Sequence, residues 1–343
     1  MNFGTLDLQT VWFILIGVLF TGYAMLDGFD LGVGALHLFT REDQERRLML
    51  NAIGPVWDGN EVWLVTGGGA LFAAFPNVYA TVFSGFYTAF MLLLFALIFR
   101  AVSMEFRSKR PSPAWRQFWD VSFAAGSTLA TFLFGVAVGN AMQGMPIGQD
   151  REFHGTTLDL LRPYPLLVGL LAVATFAMHG ANFLHLKTEG DLQKRVHHWQ
   201  WRCFGFFLVL YLFTTVYTLV EVPLATRNFA RHPWVWLVVL LNFLAIANIP
   251  RAIFQGRGTY AFVSSCATIA ALTFFVGVAL FPELVHSSLN PAWSLDAYNA
   301  ASSQKTLGIM RNIAFLGLPF VLAYSAAIFW VFRGKVKLGK FSY

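Results

Sequence analysis

Long apolar blocks separated by short polar connections fill the chain from about Thr10 to Phe332. Each block is long enough for a helix to cross a hydrocarbon core of about 30 Å. The apolar residues are continuous within each block, whereas a surface helix of a soluble protein shows them on one stripe. The blocks predict nine transmembrane helices: Thr10–Leu36, Leu50–Phe75, Val78–Val102, Phe118–Met142, Pro165–Leu186, Phe204–Leu224, Pro233–Phe254, Tyr260–Phe281 and Leu307–Phe332.

The lengths of the connections divide these helices into groups. Most connections are short, so consecutive helices are expected to be antiparallel neighbours. The longest connections follow the fourth helix and precede the ninth. They predict an all-α integral membrane protein with a four-helix bundle in residues 8–142, a second in residues 163–285, and a peripheral ninth helix in residues 305–334. Thr40–Asn51 is predicted to form a short amphipathic helix, and Pro55 to bend the second transmembrane helix.

Composition and charge agree with a membrane protein and predict its orientation. Charged residues make up 12% of the chain, about half of the share in a soluble domain. A nucleic-acid partner is not expected from the net charge of +6, because no basic stripe carries interleaved aromatic residues. By the positive-inside rule, the N-terminus lies outside and the basic C-terminal tail lies in the cytoplasm. The loops predicted to face the cytoplasm hold Arg41–Arg47, Arg107–Arg116, Lys187–Arg202 and Arg251–Arg257.

Two pairs of acids lie inside the first two apolar blocks. Asp27 and Asp30 are three residues apart, as are Asp58 and Glu61, so each pair lies on nearly one helix face. A carboxylate inside a membrane span costs several kcal/mol unless it is protonated, paired or hydrated. We expect these carboxyls to meet in a cavity open to the cytoplasm and name all four as candidates for a proton path. A relay is favoured for Asp58, both roles stay open for Asp27 and Asp30, and a structural role is favoured for Glu61. The structural alternative is that they pair with Arg100 or stabilise freed backbone near the kink.

Aromatic and metal-binding residue types give a weaker indication. Trp57 and Trp63 lie beside the acids and are predicted to line a cavity, although ordinary packing explains them equally well. Axial haem ligation needs residues on both sides of the macrocycle. His179 and His185 are six apart on one helix, so we expect His179 to be a hydrogen-bonded polar group between helices. No catalytic residue, cofactor site or metal site is expected in this chain.

Two long segments carry a resemblance to a known family. Ala24–Gly34 and Asn51–Leu64, followed by Gly68–Pro76, resemble signatures of subunit II of cytochrome bd quinol oxidase. Shorter matches run from the third span to the ninth, whereas residues 163–254 match mainly in hydropathy. The shorter matches are Phe83–Tyr87, Phe99-Arg100, Gly135–Asn140, Gln143-Gly144, Ser302–Gln304 and Thr306-Leu307.

The resemblance implies a function and a set of partners. It implies a respiratory terminal oxidase in the bacterial cytoplasmic membrane, which oxidises quinol, reduces O2 and generates proton-motive force. Haem b and haem d are then expected in subunit I, the partner of this chain. Asp58 matches a family acid assigned to a proton path, and Trp63 matches a position associated with an oxygen route in some members. A small single-span accessory subunit and a structural quinone or lipid stay open.

Two other classes of function compete with this interpretation. A proton-coupled secondary transporter or channel also has broken helices with acids near the membrane midplane. Such a protein would purify without colour, whereas an oxidase subunit would bring down a haem-bearing partner. A purely structural scaffold subunit is the other alternative, and substitution of its acids would impair assembly instead of turnover.

Overall fold

Twelve α-helices make up most of the computed structural model, which describes residues 7–40 and 42–339. Arg41 and both ends of the chain, whose sides of the membrane were predicted above, lie outside the described residues. The helices are α1 (Leu8–Leu36), α2 (Asp43–Ile53), α3 (Trp57–Ala74), α4 (Pro76–Gly85), α5 (Tyr87–Phe106), α6 (Pro113–Gln143), α7 (Pro163–Lys187), α8 (Gly190–Glu221), α9 (Leu224–Arg231), α10 (Val235–Phe254), α11 (Gly258–Leu280) and α12 (Gln304–Val331).

The all-α membrane fold predicted from hydropathy is confirmed. Within the described residues, eight helices are each long and apolar enough to cross a membrane: α1, α5, α6, α7, α8, α10, α11 and α12. Helices α3 and α4 pass the same test only together, as a pair bent by 120°, which gives up to nine candidate spans. The predicted amphipathic helix is present as α2.

Two of the predicted spans are interrupted. The second was predicted to begin at Leu50, but α2 continues to Ile53 and α3 begins only at Trp57. Pro55 lies in the turn between them, where its missing N–H leaves no helical hydrogen bond to break. The third predicted span is divided at Phe86, between α4 and α5. The sequence does not single out this second break, because no charged residue or proline lies beside Phe86.

Polar connections meet at one end of the helices, which we call the basic end (residues 37–40, 42–56, 106–120, 187–195, 254–258 and 332–339). Arg46 of α2 pairs with Asp120 of α6, and Arg195 of α8 pairs with Glu45 of α2. The Lys335 Nζ donates to the Thr188 carbonyl at 2.8 Å. The opposite end carries a two-stranded antiparallel sheet, β1 (Glu283–Val285) and β2 (Leu295–Asp296). The loops predicted to share the cytoplasmic side therefore do lie together.

Helix α1 occupies a central position and packs against α3, α6, α7 and α11. Its closest approach is to α7, where Gly32 and Gly180 bring the two backbones together. A Cβ on Gly32 would collide with the backbone of Phe176, and a Cβ on Gly180 would collide with the backbone of Gly32. Small residues allow this close packing of membrane helices. It fixes the position of the α1 face that carries Asp27 and Asp30.

Candidate functional site

The buried Arg100 of α5 collects carboxyl groups from two neighbouring helices. Its Nη2 donates to Asp27 Oδ1 of α1 at 2.7 Å, and its Nη1 pairs with Glu61 of α3. Arg100 and Asp27 are fully buried, whereas the Glu61 side chain is 25% exposed. The indole of Trp57 covers the guanidinium, with its ring centroid 5.8 Å from Cζ. Asp27 and Glu61 therefore pair with Arg100, as expected if these acids have a structural role.

A different partner holds Asp30, which lies one helical turn from Asp27. Its Oδ2 accepts a hydrogen bond from Asn60 Nδ2 at 2.7 Å, and the same amide donates to the Leu26 carbonyl at 3.1 Å. Asn60 thus joins α3 to α1. Sequence reasoning did not single out Asn60, although an amide between two acids in an apolar block was a detectable signal.

The charges of this cluster do not balance if every carboxyl is ionised. Three carboxyls, from Asp27, Asp30 and Glu61, surround one guanidinium. Asp27 Oδ2, Asp30 Oδ1 and the Tyr23 hydroxyl are buried and have no hydrogen-bond partner among the described residues. Unpaired buried charge is strongly unfavourable. The arrangement therefore favours protons or water on the surplus carboxyls, which is the property that a proton store requires.

Asp58 lies outside this buried cluster. It is exposed in the first turn of α3, on an outward face that continues through Val62, Val65, Gly69 and Phe72. The predicted meeting of four carboxyls is thus observed for three of them. Asp58 is nevertheless near enough to Glu61 for their charges to interact. Glu61, partly exposed, lies between Asp58 on the surface and Arg100 in the interior.

The tryptophans and the central histidine are packed among protein atoms. Trp63 is buried against α1, where its ring fills the space that a Cβ on Gly22 would need. His179 Nδ1 lies 2.7 Å from Ser265 Oγ, and its Nε2 lies 2.9 Å from the Met25 carbonyl. Both ring nitrogens of His179 are therefore engaged by protein groups, as predicted. Among residues 7–40 and 42–339, no group of three or more His, Cys, Asp or Glu side chains could hold a metal ion.

A second buried ion network, which sequence reasoning missed, lies at the basic end. Asp120 of α6 is fully buried and lies 2.6 Å from His37 Nε2 and 2.6 Å from Arg107 Nε, and Arg46 Nη1 lies 2.8 Å away. These groups belong to the ends of α1, α2 and α5. The only sequence signal was one acid at the start of an apolar block whose flanking loops are basic. Asp120 thereby joins α2 to three membrane helices.

At the opposite end, Glu283 of β1 joins the sheet to α9. Its carboxyl accepts from Arg227 Nη1 at 2.8 Å and lies 2.6 Å from His286 Nδ1. Burial would raise the pKa of Glu283, but the hydrogen bonds from His286 and Arg227 outweigh it and hold that pKa below its ordinary value. Protonation of the Glu283 carboxylate at low pH would therefore weaken its contacts with Arg227 and His286.

Comparison with known proteins identifies related chains. Residues 8–332 match the family described as cytochrome bd terminal oxidase subunit II. The chain is 37% identical to cytochrome bd-I ubiquinol oxidase subunit 2 of Escherichia coli K12, over 96% of this chain and 95% of that protein. It is also 37% identical to cytochrome bd ubiquinol oxidase subunit 2 of Bacillus subtilis 168, over 96% of this chain and 97% of that protein. The structure of bd oxidase from Geobacillus thermodenitrificans contains a chain of the same fold, with a TM-score of 0.78 at 16% identity, covering 95% of this chain and 98% of that one.

Proposed function

Because this chain belongs to the cytochrome bd terminal oxidase subunit II family, we propose that it carries protons from the basic end to its partner subunit through Asp58. The chain is a membrane subunit of a quinol oxidase complex. The proton path is our addition to that assignment. It rests on one observation: a carboxyl in an apolar helix faces outward from the subunit, next to a buried cluster that has more acids than cations.

The outward position of Asp58 indicates a protein neighbour. Val62, Val65 and Phe72 continue this face of α3 as an exposed apolar surface, and we propose that another subunit covers it. Gly59 and Gly69 of α3 have no atom near the position of a Cβ, and small residues let a partner helix approach closely. We propose that subunit I packs on this face and that Asp58 lies at the interface.

Within this proposal, the buried cluster serves as a proton store behind Asp58. Glu61 interacts electrostatically with Asp58 and forms an ion pair with Arg100. Arg100 in turn forms an ion pair with Asp27. Asp30 and Asn60 extend the same polar region along α1. Asp30 lies six residues, about 9 Å, before the end of α1, so protons have only a short distance to cross from the basic end. We propose that this end faces the cytoplasm, as the positive-inside rule predicts.

The remaining parts of the oxidase are assigned to the partner. The haems implied by the family would supply the redox chemistry, and His179, the histidine at the centre of the bundle, has both ring nitrogens engaged by protein groups. We propose that haem b and haem d lie in subunit I, where quinol and O2 react. A small accessory subunit, a structural quinone and an oxygen route past Trp63 stay predictions, as does the division into two four-helix bundles.

The test is Asp58→Asn in the purified complex. We expect quinol-driven O2 consumption to fall by about a hundredfold, as for loss of a proton-transfer group, while the haem spectrum and subunit stoichiometry stay unchanged. Asp191→Asn is the matched control, because Asp191 is exposed at the basic end and pairs with its neighbour Lys194. Undiminished turnover in Asp58→Asn would refute the path. Loss of assembly at normal turnover per complex would favour the scaffold alternative.

A further inference from the structure

The turn between α10 and α11 holds a cavity with two arginines on the outside of the helix bundle. It has a volume of about 370 Å³ and is lined by Asn248, Arg251, Ala252, Gln255, Arg257 and Tyr260. It lies at the basic end, because a Cβ on Gly258 would contact His185 and Leu186 at the end of α7. Arg251 and Arg257 are both exposed. This cavity is separate from Asp58 and the buried cluster.

The two guanidinium groups lack the carboxylate partners that three other arginines of this end have. Arg46, Arg107, and Arg195 all form ion pairs with acids. Among the described residues, no carboxylate lies within ion-pairing distance of Arg251 or Arg257: Arg251 Nη1 reaches Asn248 Oδ1 at 3.4 Å, and Arg257 lies over the Tyr260 ring. The cavity therefore presents positive charge without an internal counter-ion.

The backbone of the turn holds these two arginines in a fixed relation. Gly256, two residues after the last residue of α10, adopts a left-handed conformation with φ of +67°. The Gly256 N–H bonds to the Ile253 carbonyl at 3.1 Å, and the Arg257 N–H bonds to the Ala252 carbonyl at 2.9 Å. This pair of bonds is the Schellman arrangement, which closes a helix end. Asn248 is held in turn by Ser264 Oγ at 2.9 Å, so one side of the cavity is fixed by α11.

The surroundings of the cavity are apolar and aromatic. Phe254 is 84% exposed and Tyr260 is 60% exposed, and Val263 lies one turn further along α11 with 57% of its surface exposed. Aromatic side chains of this kind lie where lipid headgroups meet acyl chains. The planar guanidinium group of an arginine can donate two parallel hydrogen bonds to phosphate oxygens. An occupant therefore needs an anionic phosphate group at one end and a long apolar part at the other.

We propose that this cavity binds the phosphodiester headgroup of an anionic phospholipid, with its acyl chains along Phe254 and the exposed face of α11. Arg251 and Arg257 bind the phosphate oxygens, and Gln255 and Tyr260 border the headgroup. Basic pockets between transmembrane helices on the cytoplasmic side favour such lipids. The site stands independently of the proton path through Asp58.

The experiment measures lipid retention by the complex purified with its partner subunit. After delipidation in nonionic detergent, phosphatidylglycerol is titrated and bound lipid is counted by native mass spectrometry. The variant Arg251→Gln/Arg257→Gln should bind phosphatidylglycerol about thirtyfold more weakly, from two lost interactions of roughly equal strength near the membrane surface. The control Arg202→Gln/Lys337→Gln removes two exposed cations outside the cavity and should bind like the wild type.

Two further arms use the wild-type complex alone, so the test does not depend on the variants. Phosphatidylcholine should bind to this site much more weakly, and millimolar inorganic phosphate should not displace phosphatidylglycerol. Equal binding by the double variant and the wild type would overturn the proposal. So would equal binding of the two lipids, or displacement by phosphate, which would indicate a site for the free anion.

Discussion

Removal of the Arg100 guanidinium leaves Asp27, Asp30 and Glu61 together in the interior without a cation. In Arg100→Gln, the 2.7 Å contact to Asp27 and the pair with Glu61 are both lost. Breaking a buried ion pair by removing one partner costs about 3–5 kcal/mol. Asp27→Asn should cost less, roughly 1–3 kcal/mol, because Arg100 keeps Glu61. The double variant Arg100→Gln/Asp27→Asn should lose less unfolding free energy than the two single variants lose together. The difference should be roughly 0.5–3 kcal/mol.

The assay is denaturant unfolding of the purified complex in detergent, followed by intrinsic tryptophan fluorescence. Arg202→Gln is the matched control, since Arg202 is exposed on α8; it should change the unfolding free energy by no more than about 0.5 kcal/mol. If Arg100→Gln were as mild as this control, Arg100 would not be the cation that balances the cluster. Strict additivity of the Arg100 and Asp27 substitutions would also refute the reasoning.

Three other expectations follow from the packing and the ion pairs. Gly32→Ala should destabilise the complex by about 1–3 kcal/mol, as an overpacked contact does, whereas Gly17→Ala, with no atom near its Cβ position, should leave the unfolding midpoint nearly unchanged. Asp120→Asn should cost about 3–5 kcal/mol and expose α2 to protease; unchanged cleavage would show that Asp120 does not hold α2. Because the folded pKa of Glu283 lies below its ordinary value, its stabilisation is complete above the unfolded pKa of about 4.3. This stabilisation is lost as pH falls through the folded pKa. In Glu283→Gln, the unfolding free energy should therefore fall less steeply at acid pH than in the wild type. The same acid-pH dependence in both proteins would contradict the contact with His286.

The helices could be predicted from the sequence because a membrane leaves the backbone little choice. Every N–H and C=O in hydrocarbon must be bonded within its own segment, so an apolar block of about 20 residues becomes a helix. The breaks were harder to locate. Pro55 signalled the end of one helix, but the division at Phe86 has no charged residue or proline beside it.

The sequence predicted which residues belong to the candidate site better than it predicted how they are arranged. Asp27, Glu61 and Arg100 were all named from the sequence, because charged residues in apolar blocks are rare. Which face of α3 points inward depends on packing against α1, and spacing alone did not place Glu61 inside and Asp58 outside. The contact between Asn60 and Asp30 joins residues 30 positions apart. Such a pairing is visible only when two helices are seen side by side.

The distance along the chain between Asp27 and Arg100 has a consequence for biosynthesis. Seventy-three positions separate them, so at 5–20 residues per second the carboxyls of α1 leave the ribosome about 4–15 s before their cation is made. During that interval, α1 needs the aqueous interior of the insertion machinery, or bound protons, to tolerate its two acids. Without bound protons, α1 can therefore settle among its neighbouring helices only after α5 has been synthesised, which makes release of the nascent chain a late and cooperative event.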